Sequence, residues 1–167
     1  MDVFQITLIT TTFLVSMVAG FLFAFTVVVM PGIKNLSDRN FLQAFKEMDS
    51  VIQTNQPLFM IVWVGSILSS ILLLVQSFLH FNYPESLILI ILLAFYFICT
   101  QVPTIVINIP LNNRLKNMDI EIMEENSIKK VRADFESRWN RSNKFRTLSA
   151  VLTSLALIIF LSSHFMN

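Results

Sequence analysis

Four polar side chains interrupt a charge-free run from Ser86 to Asn113: Gln101, Thr104, Asn108 and Asn112, spaced three or four apart, fall roughly on one helical face. Arg114 follows directly. Near the end of the chain a second face carries Trp139, Asn143 and Arg146, ahead of Ala150 and Thr153. Guanidinium groups offer a planar fork of donors, and amides offer donors and acceptors together. Gathered in one place, Asn108, Asn112, Arg114, Asn143 and Arg146 could hold an anion or a polarised carbonyl oxygen, with Gln101 and Trp139 helping to bind its carrier. The plainer alternative is that the arginines reach lipid headgroups and the asparagines cap helix ends.

The elements that must position these groups are membrane spans. With 54% hydrophobic and 14% charged residues in 167, the chain is too apolar for an ordinary soluble domain. The expected fold is an all-α integral membrane protein, one domain over 1–167, with four transmembrane helices in an antiparallel bundle. The spans are predicted at about 3–30, 57–79, 86–111 and 144–164, each near the ~20 apolar residues that a bilayer requires. The first opens with Asp2 and is too long for the apolar core of a cleaved signal, so it is expected to be retained.

Met30-Pro31-Gly32 is read as the end of the first span, and Ser16, Gly20 and Ala24 within it as a seam for close helix packing. Gly65 and Ser69 repeat that spacing in the second span, which begins at Pro57 with Asn55 as a cap. The short connection from His80 to Pro84 makes the second and third spans antiparallel neighbours. Pro103 should bend the third span and free the Cys99 carbonyl. Between Pro31 and Asn55, Phe41, Phe45, Met48 and Ile52 mark an amphipathic helix capped by Ser37 or Asp38 and lying along the interface. Its charged residues Lys34, Arg39, Lys46 and Glu47 read as a solvated face. Leu115 to Asn126 reads as a solvated loop. From Ser127 a long helix, carrying Ile128, Val131, Phe135 and Trp139 at helical spacing, runs unbroken into the last span as a cytoplasmic extension.

All twelve Lys and Arg residues fall in the loops that join spans one to two and three to four, or at their edges. By the positive-inside rule that side is cytoplasmic and both termini are outside. The acidic residues Asp119, Glu121, Glu124 and Glu125 form no metal-ligand pattern, and no metal site is expected. His80 and His164, at the outer ends of their spans, raise haem as an alternative cofactor reading. Cys99 has no partner for a disulfide, and nothing points to nucleic acid.

Taken in order, Met30-Pro31-Gly32, the run Met-Asp-x-Val-Ile-Gln-x-Asn-Gln-Pro-Leu-Phe from Met48 to Phe59, Asn-x-Pro-Leu-Asn-Asn-Arg-Leu from Asn108 to Leu115, and Trp139 with Asn143, Arg146 and Thr147 resemble the anthrone-oxygenase-like family. The resemblance spans nearly the whole chain. It implies a four-span bundle, a bacterial cytoplasmic membrane setting, and oxidation of an anthrone to an anthraquinone by dioxygen without an established cofactor. Asn112, Asn143 and Arg146 match the family pattern and become the candidate catalytic residues, with Asn108, Arg114, Gln101 and Trp139 as substrate-binding candidates. Many relatives carry histidine after the asparagine that Asn143 matches; this chain has Lys144, which leaves no evident proton acceptor.

Two function classes follow. In one, the protein is an oxidoreductase for a small, flat, hydrophobic aromatic or quinone-like molecule, which enters from lipid and presents an acidic oxygen to Arg146. In the other, it is a non-enzymatic module that binds anionic lipid or a partner chain, homo-oligomers included. An apolar pocket closed over Asn112 and Arg146 belongs to the first; outward-facing arginines and no cavity belong to the second.

Overall fold

The computed structural model describes residues 1–54, 56–79 and 84–166, the side chains of 84, 165 and 166 apart. Asn55, His80 and the connection that follows it lie outside the described residues. Among the described residues there is no strand, and five helices account for most of the chain: α1 (Val3–Ile33), α2 (Asp38–Gln53), α3 (Pro57–Leu79), α4 (Glu85–Lys116) and α5 (Glu125–Met166). All but α2 are long and apolar enough to cross a bilayer. The outward faces of these helices carry side chains such as Phe13, Val28, Ile98, Ile105 and Ile159, a surface suited to lipid. The chain is an integral membrane protein.

α1 packs on α3 and α5, and α4 packs on the same two helices. Ser16 meets Ser154 and Thr26 meets Thr147 across α1 and α5. Thr100 meets Ser149, Thr104 meets Arg146, and Asn108 meets Ser142 across α4 and α5. In both cases the pairs advance in opposite directions along the two helices. Hydroxyl and amide bonds of this kind contribute about 0.6 kcal/mol each between membrane helices.

Prolines shape two of the spans. Pro57 and Pro84 open helices, where a missing N–H costs little. Pro31, Pro103 and Pro110 stand inside helices, each two residues after a π-helical turn: Phe25–Val29, Phe97–Gln101 and Thr104–Asn108. A proline ring collides with the carbonyl four residues back. Widening the preceding turn, with Met30 N–H bonded to the Phe25 carbonyl and Val102 and Ile109 bonded likewise to Phe97 and Thr104, lets the helix continue. α1 therefore passes through Met30-Pro31-Gly32, where the sequence suggests a stop, and ends at Ile33. The Cys99 carbonyl expected to be freed by Pro103 accepts a bond from Ser149 Oγ at 3.0 Å.

The expected seam on α1 is only partly used. Ser16 is in contact, but Gly20 and Ala24 are exposed, and a side chain at Gly20 would meet nothing within 4 Å. The close approach is instead at Gly65, where an added Cβ would lie 3.2 Å from Leu14 Cδ1.

Two end cores result, with a smaller apolar cluster of Val18, Ala19, Leu22 and Ala150 and the polar layer between them. One, at the end holding the termini, contains Leu8, Val15, Leu73, Leu89, Tyr96 and Leu157. The other, at the basic end, is built by α2: Phe41, Leu42 and Phe45 pack with Leu111, Ile128, Phe135 and Trp139. Ser37 caps α2 as expected, but its apolar face is turned onto α4 and α5. Nor is the α4–α5 loop simply solvated: Lys46 donates to the Met118 carbonyl, Arg39 to those of Ile120, Glu121 and Met123, and Ile120 is buried. α5 starts at Glu125, two residues before the expected cap Ser127.

Arg132 ties the α1–α2 turn to α5. It donates to the carbonyls of Lys34 and Leu36 and to Asp38 and Glu136 at 2.5–3.0 Å, with its guanidinium 4.4 Å from the Phe41 ring centre. Charged hydrogen bonds contribute about 1.5–3 kcal/mol, so Arg132→Ala is expected to lower stability by about 2–3 kcal/mol, seen as a lower melting temperature in detergent. An unchanged melt would show that the turn is held elsewhere.

Candidate functional site

Against the core at the basic end lies a cavity of about 320 Å³, at the lower end of the ~300–1,000 Å³ typical of small-molecule sites. Its apolar walls are mostly aromatic: Phe21 and Phe25 from α1, Phe45 from α2, Phe59 and Trp63 from α3, and Trp139 from α5. Its polar lining includes Asp49 and Gln53 from α2, Thr104, Asn108 and Asn112 from α4, and Arg146 from α5. Along α4, it is the part before Phe97 that packs on α3. Beyond that part the cavity opens between them, with the exposed side chains of Met60 and Ile109 on its lining.

Arg146 is the central group. Only 6% exposed, it makes no ion pair among the described residues. Its Nε donates to Asn143 Oδ1 at 3.0 Å and its Nη1 to Thr104 Oγ1 at 3.1 Å, and its guanidinium carbon is 5.5 Å from the Trp139 ring centre. A guanidinium has five N–H donors. Its Nη2 donates to nothing among the described residues. On α4, four residues after Thr104, Asn108 is 1% exposed; its Oδ1 accepts from Ser142 at 2.6 Å, while its Nδ2 has no partner among the described residues. Donors of Arg146 and Asn108 thus border one cavity without an acceptor among the described residues.

The π turns help to place them. Thr104 opens one such turn and Asn108 closes it, while Phe25 and Thr26 lie in the turn of α1 that faces α5. Such turns recur at functional sites because they redirect side chains that a regular helix would aim elsewhere.

Asn112 and Trp139 form a directed chain toward a carboxylate. Trp139 Nε1 donates to Asn112 Oδ1 at 2.9 Å, and Asn112 Nδ2 donates to Asp49 Oδ1 at 2.7 Å. Gln53 Nε2 donates to the other oxygen, Asp49 Oδ2. Asp49 is 8% exposed. Burial pushes its carboxyl above the ordinary value of 3.8, against the opposing pull of the Gln53 and Asn112 hydrogen bonds and the Lys116 charge.

The sequence-derived residues therefore separate. Asn108, Asn112, Trp139 and Arg146 line the cavity. Asn143 does not; its Nδ2 donates to Thr26 Oγ1 at 2.8 Å, and its Oδ1 holds Arg146. Gln101 lies buried toward the other core, donating to Tyr96 Oη at 2.8 Å, which also meets Ser66. Arg114 is exposed and paired with Asp134 at 3.0 Å. Lys144 is exposed, outside the cavity lining. His164 packs between Phe4 and Phe160, whereas His80 lies outside the described residues. No group of three His, Cys, Asp or Glu side chains able to hold a metal occurs among the described residues.

Asp49 is the site residue that sequence reasoning missed. It stands four residues after Phe45 and eight after Phe41, so it shares the buried stripe of α2. A carboxylate in that register was the available signal.

Residues 59–156 match the family model described as anthrone oxygenase. No curated protein and no solved structure matches the chain. The matched range contains Thr104, Asn108, Asn112, Trp139, Asn143 and Arg146; Asp49 precedes it.

Asn143→Ala would leave Arg146 Nε without its buried acceptor, while the Thr26 hydroxyl keeps the Leu22 carbonyl and Thr147. Loss of a buried partner costs about 1–3 kcal/mol, and the expected result is a drop of that size in thermal unfolding. Combined with Thr26→Ala, the cost should be less than additive, because the two share one hydrogen bond.

Proposed function

The chain belongs to the anthrone oxygenase family, and from that premise we propose that the cavity binds a small, flat aromatic substrate whose acidic C–H is oxidised by dioxygen. The observation that carries the reading is the buried Arg146, without a carboxylate partner among the described residues and bordering the same cavity as Asn108, whose Nδ2 has no partner among them either. An anthrone is the family's type of substrate. Losing a proton from its central methylene sends the C–H electron pair to the carbonyl oxygen. The oxyanion so formed is the species that Arg146 and Asn108 are suited to hold, since preorganised donors in a water-poor site stabilise developing charge strongly.

The electron-rich anion then gives electrons to dioxygen, one oxygen atom is retained at the former methylene, and the other leaves as water. Overall CH₂ and O₂ become C=O and H₂O. The substrate's own electrons reduce the oxygen, so we propose that no cofactor is needed. The aromatic walls suit a planar ring system. Entry from the hydrocarbon phase, between α3 and α4 past Met60 and Ile109, fits a hydrophobic substrate. We place this end of the bundle on the cytoplasmic side, from the concentration of Lys and Arg there.

The alternative of a lipid- or partner-binding module rests on outward-facing arginines. Arg114 fits it and Arg146 does not, and the cavity supports the oxidoreductase reading.

The test is oxygen consumption with anthrone, alongside ligand binding followed by tryptophan fluorescence, to which Trp63 and Trp139 on the cavity wall would respond. Arg146→Ala is expected to lower kcat/KM by about 10²–10³, the usual loss for one oxyanion donor. Arg146→Lys, with a charge but no fork, should restore only part. Unchanged turnover and binding in both variants would overturn the reading.

A further inference from the structure

We propose that Asp49 is the general base that takes the substrate's C–H proton, held in position by Gln53 and by the Trp139–Asn112 chain. The inference rests on the oxygenase reading above and supplies the group which that reading leaves unassigned.

The geometry restricts the choice. Among the described residues lining the cavity, Asp49 is the one carboxylate, and no histidine or lysine joins it. Both oxygens are engaged by amide donors, so the carboxylate plane is set from two sides: Asn112 from α4 holds Oδ1 and Gln53 from α2 holds Oδ2. Each oxygen keeps a further lone pair. Trp139 donates to Asn112, so every N–H in that chain points toward the carboxylate and supports its negative charge. Asn112 and Trp139 are thus positioning residues for the base, although they also wall the cavity. Arg146, on a different helix, lines the same space. A substrate bridging the two would have its acidic hydrogen served by one and its developing oxyanion by the other.

The proton account then closes. Asp49 takes the first methylene proton as the C–H pair moves to the carbonyl oxygen. Dioxygen accepts electrons from the carbanion and forms a C–O bond, and the carboxylic acid returns its proton to the terminal oxygen, giving a hydroperoxide. Asp49 then takes the remaining proton of that carbon as the new C=O forms and the O–O bond breaks. The departing hydroxide receives that proton and leaves as water, which restores the carboxylate.

The environment matches this task. A base in water would be a weak one, while desolvation strengthens it. Lys116, from the end of α4, is the charge that acts on Asp49, and Arg146 from α5 lines the same cavity; the lining residues from α1 and α3 carry no charge. Because the base must be ionised, the rate should fall as pH is lowered through a pKa raised above 3.8. The linkage has the opposite sense for stability: as pH rises the unfolded chain ionises first, so stability declines between 3.8 and the folded value and stays lower above it. Asp49→Asn removes that cost, and rotation of the Gln53 amide can restore both hydrogen bonds.

The experiment compares full-length wild type, Asp49→Asn and Asp49→Glu in native lipid. Anthraquinone, which has no proton to lose, is the binding probe, and anthrone is the turnover probe. Asp49→Asn is expected to bind anthraquinone within about twofold of wild type, melt no lower at neutral pH, and oxidise anthrone about 10²–10⁴ times more slowly. Alkaline pH should rescue it by ionising anthrone in solution, its acid limb should vanish, and Asp49→Glu should keep part of the rate. Anthrone turnover by Asp49→Asn near the wild-type rate, with wild-type binding, overturns the base and leaves the oxygenase reading standing. Loss of anthraquinone binding in both variants also overturns it, by making the carboxylate a packing element. Wild type that neither binds nor oxidises either probe overturns the oxygenase reading, and the base with it.

Discussion

The arrangement turns on one buried guanidinium. Moving a cation out of water without a counter-ion costs several kcal/mol even after relaxation, and Arg146 sits within a helix long and apolar enough to span the bilayer. Its neighbours compensate by hydrogen bonds and one aromatic face. Asn143 takes Nε, Thr104 takes Nη1, and the Trp139 ring faces the charge. Asn143 is in turn held by Thr26, which reaches it from a π turn of α1 and also meets Thr147. Three helices are thus set by the requirements of one side chain. The remaining donors lack acceptors among the described residues, which leaves the charge short of compensation and able to reward an anionic guest.

α2 completes the enclosure. Without it, Arg146 would stand near an open bundle end. With it, Phe41, Leu42 and Phe45 build a second core on α4 and α5, and the next residue on that stripe, Asp49, closes the cavity with a carboxylate. Anchors before it and along its first half hold this helix: Arg132 clasps the turn that precedes it, while Arg39 and Lys46 bind carbonyls of the α4–α5 loop. Side chains that look like a solvated fringe in one dimension are therefore the fastenings of a lid.

The four spans were legible because their length and freedom from charge are properties of single segments. Arg146, Asn108 and Asn112 were legible because polar groups in apolar helices are costly unless they face protein. Asn143, Gln101 and Arg114 had the right chemistry but different stations, since helical spacing says which face a residue shares and not which neighbour that face meets. Asp49 was hidden for the same reason: only the docking of α2 on α4 and α5 turns a charge on an amphipathic stripe into a buried one. The π turns escaped because proline reads locally as a break, whereas here the preceding turn widens to let the helix pass.

Those widened turns also bear on how this architecture can diverge. A π turn amounts to one residue inserted into a helix, and one residue turns everything beyond it by about 100°. Pro31, Pro103 and Pro110 each lie two residues past such an insertion, so proline and extra residue form a matched pair. Deleting the residue while keeping the proline restores the clash; deleting it alone, even without the clash, swings Asn108 or Asn112 off the face that looks at α5. Descendants of this chain can exchange lipid-facing side chains freely, but the residue count of α1 and α4 is inherited as a unit with their prolines.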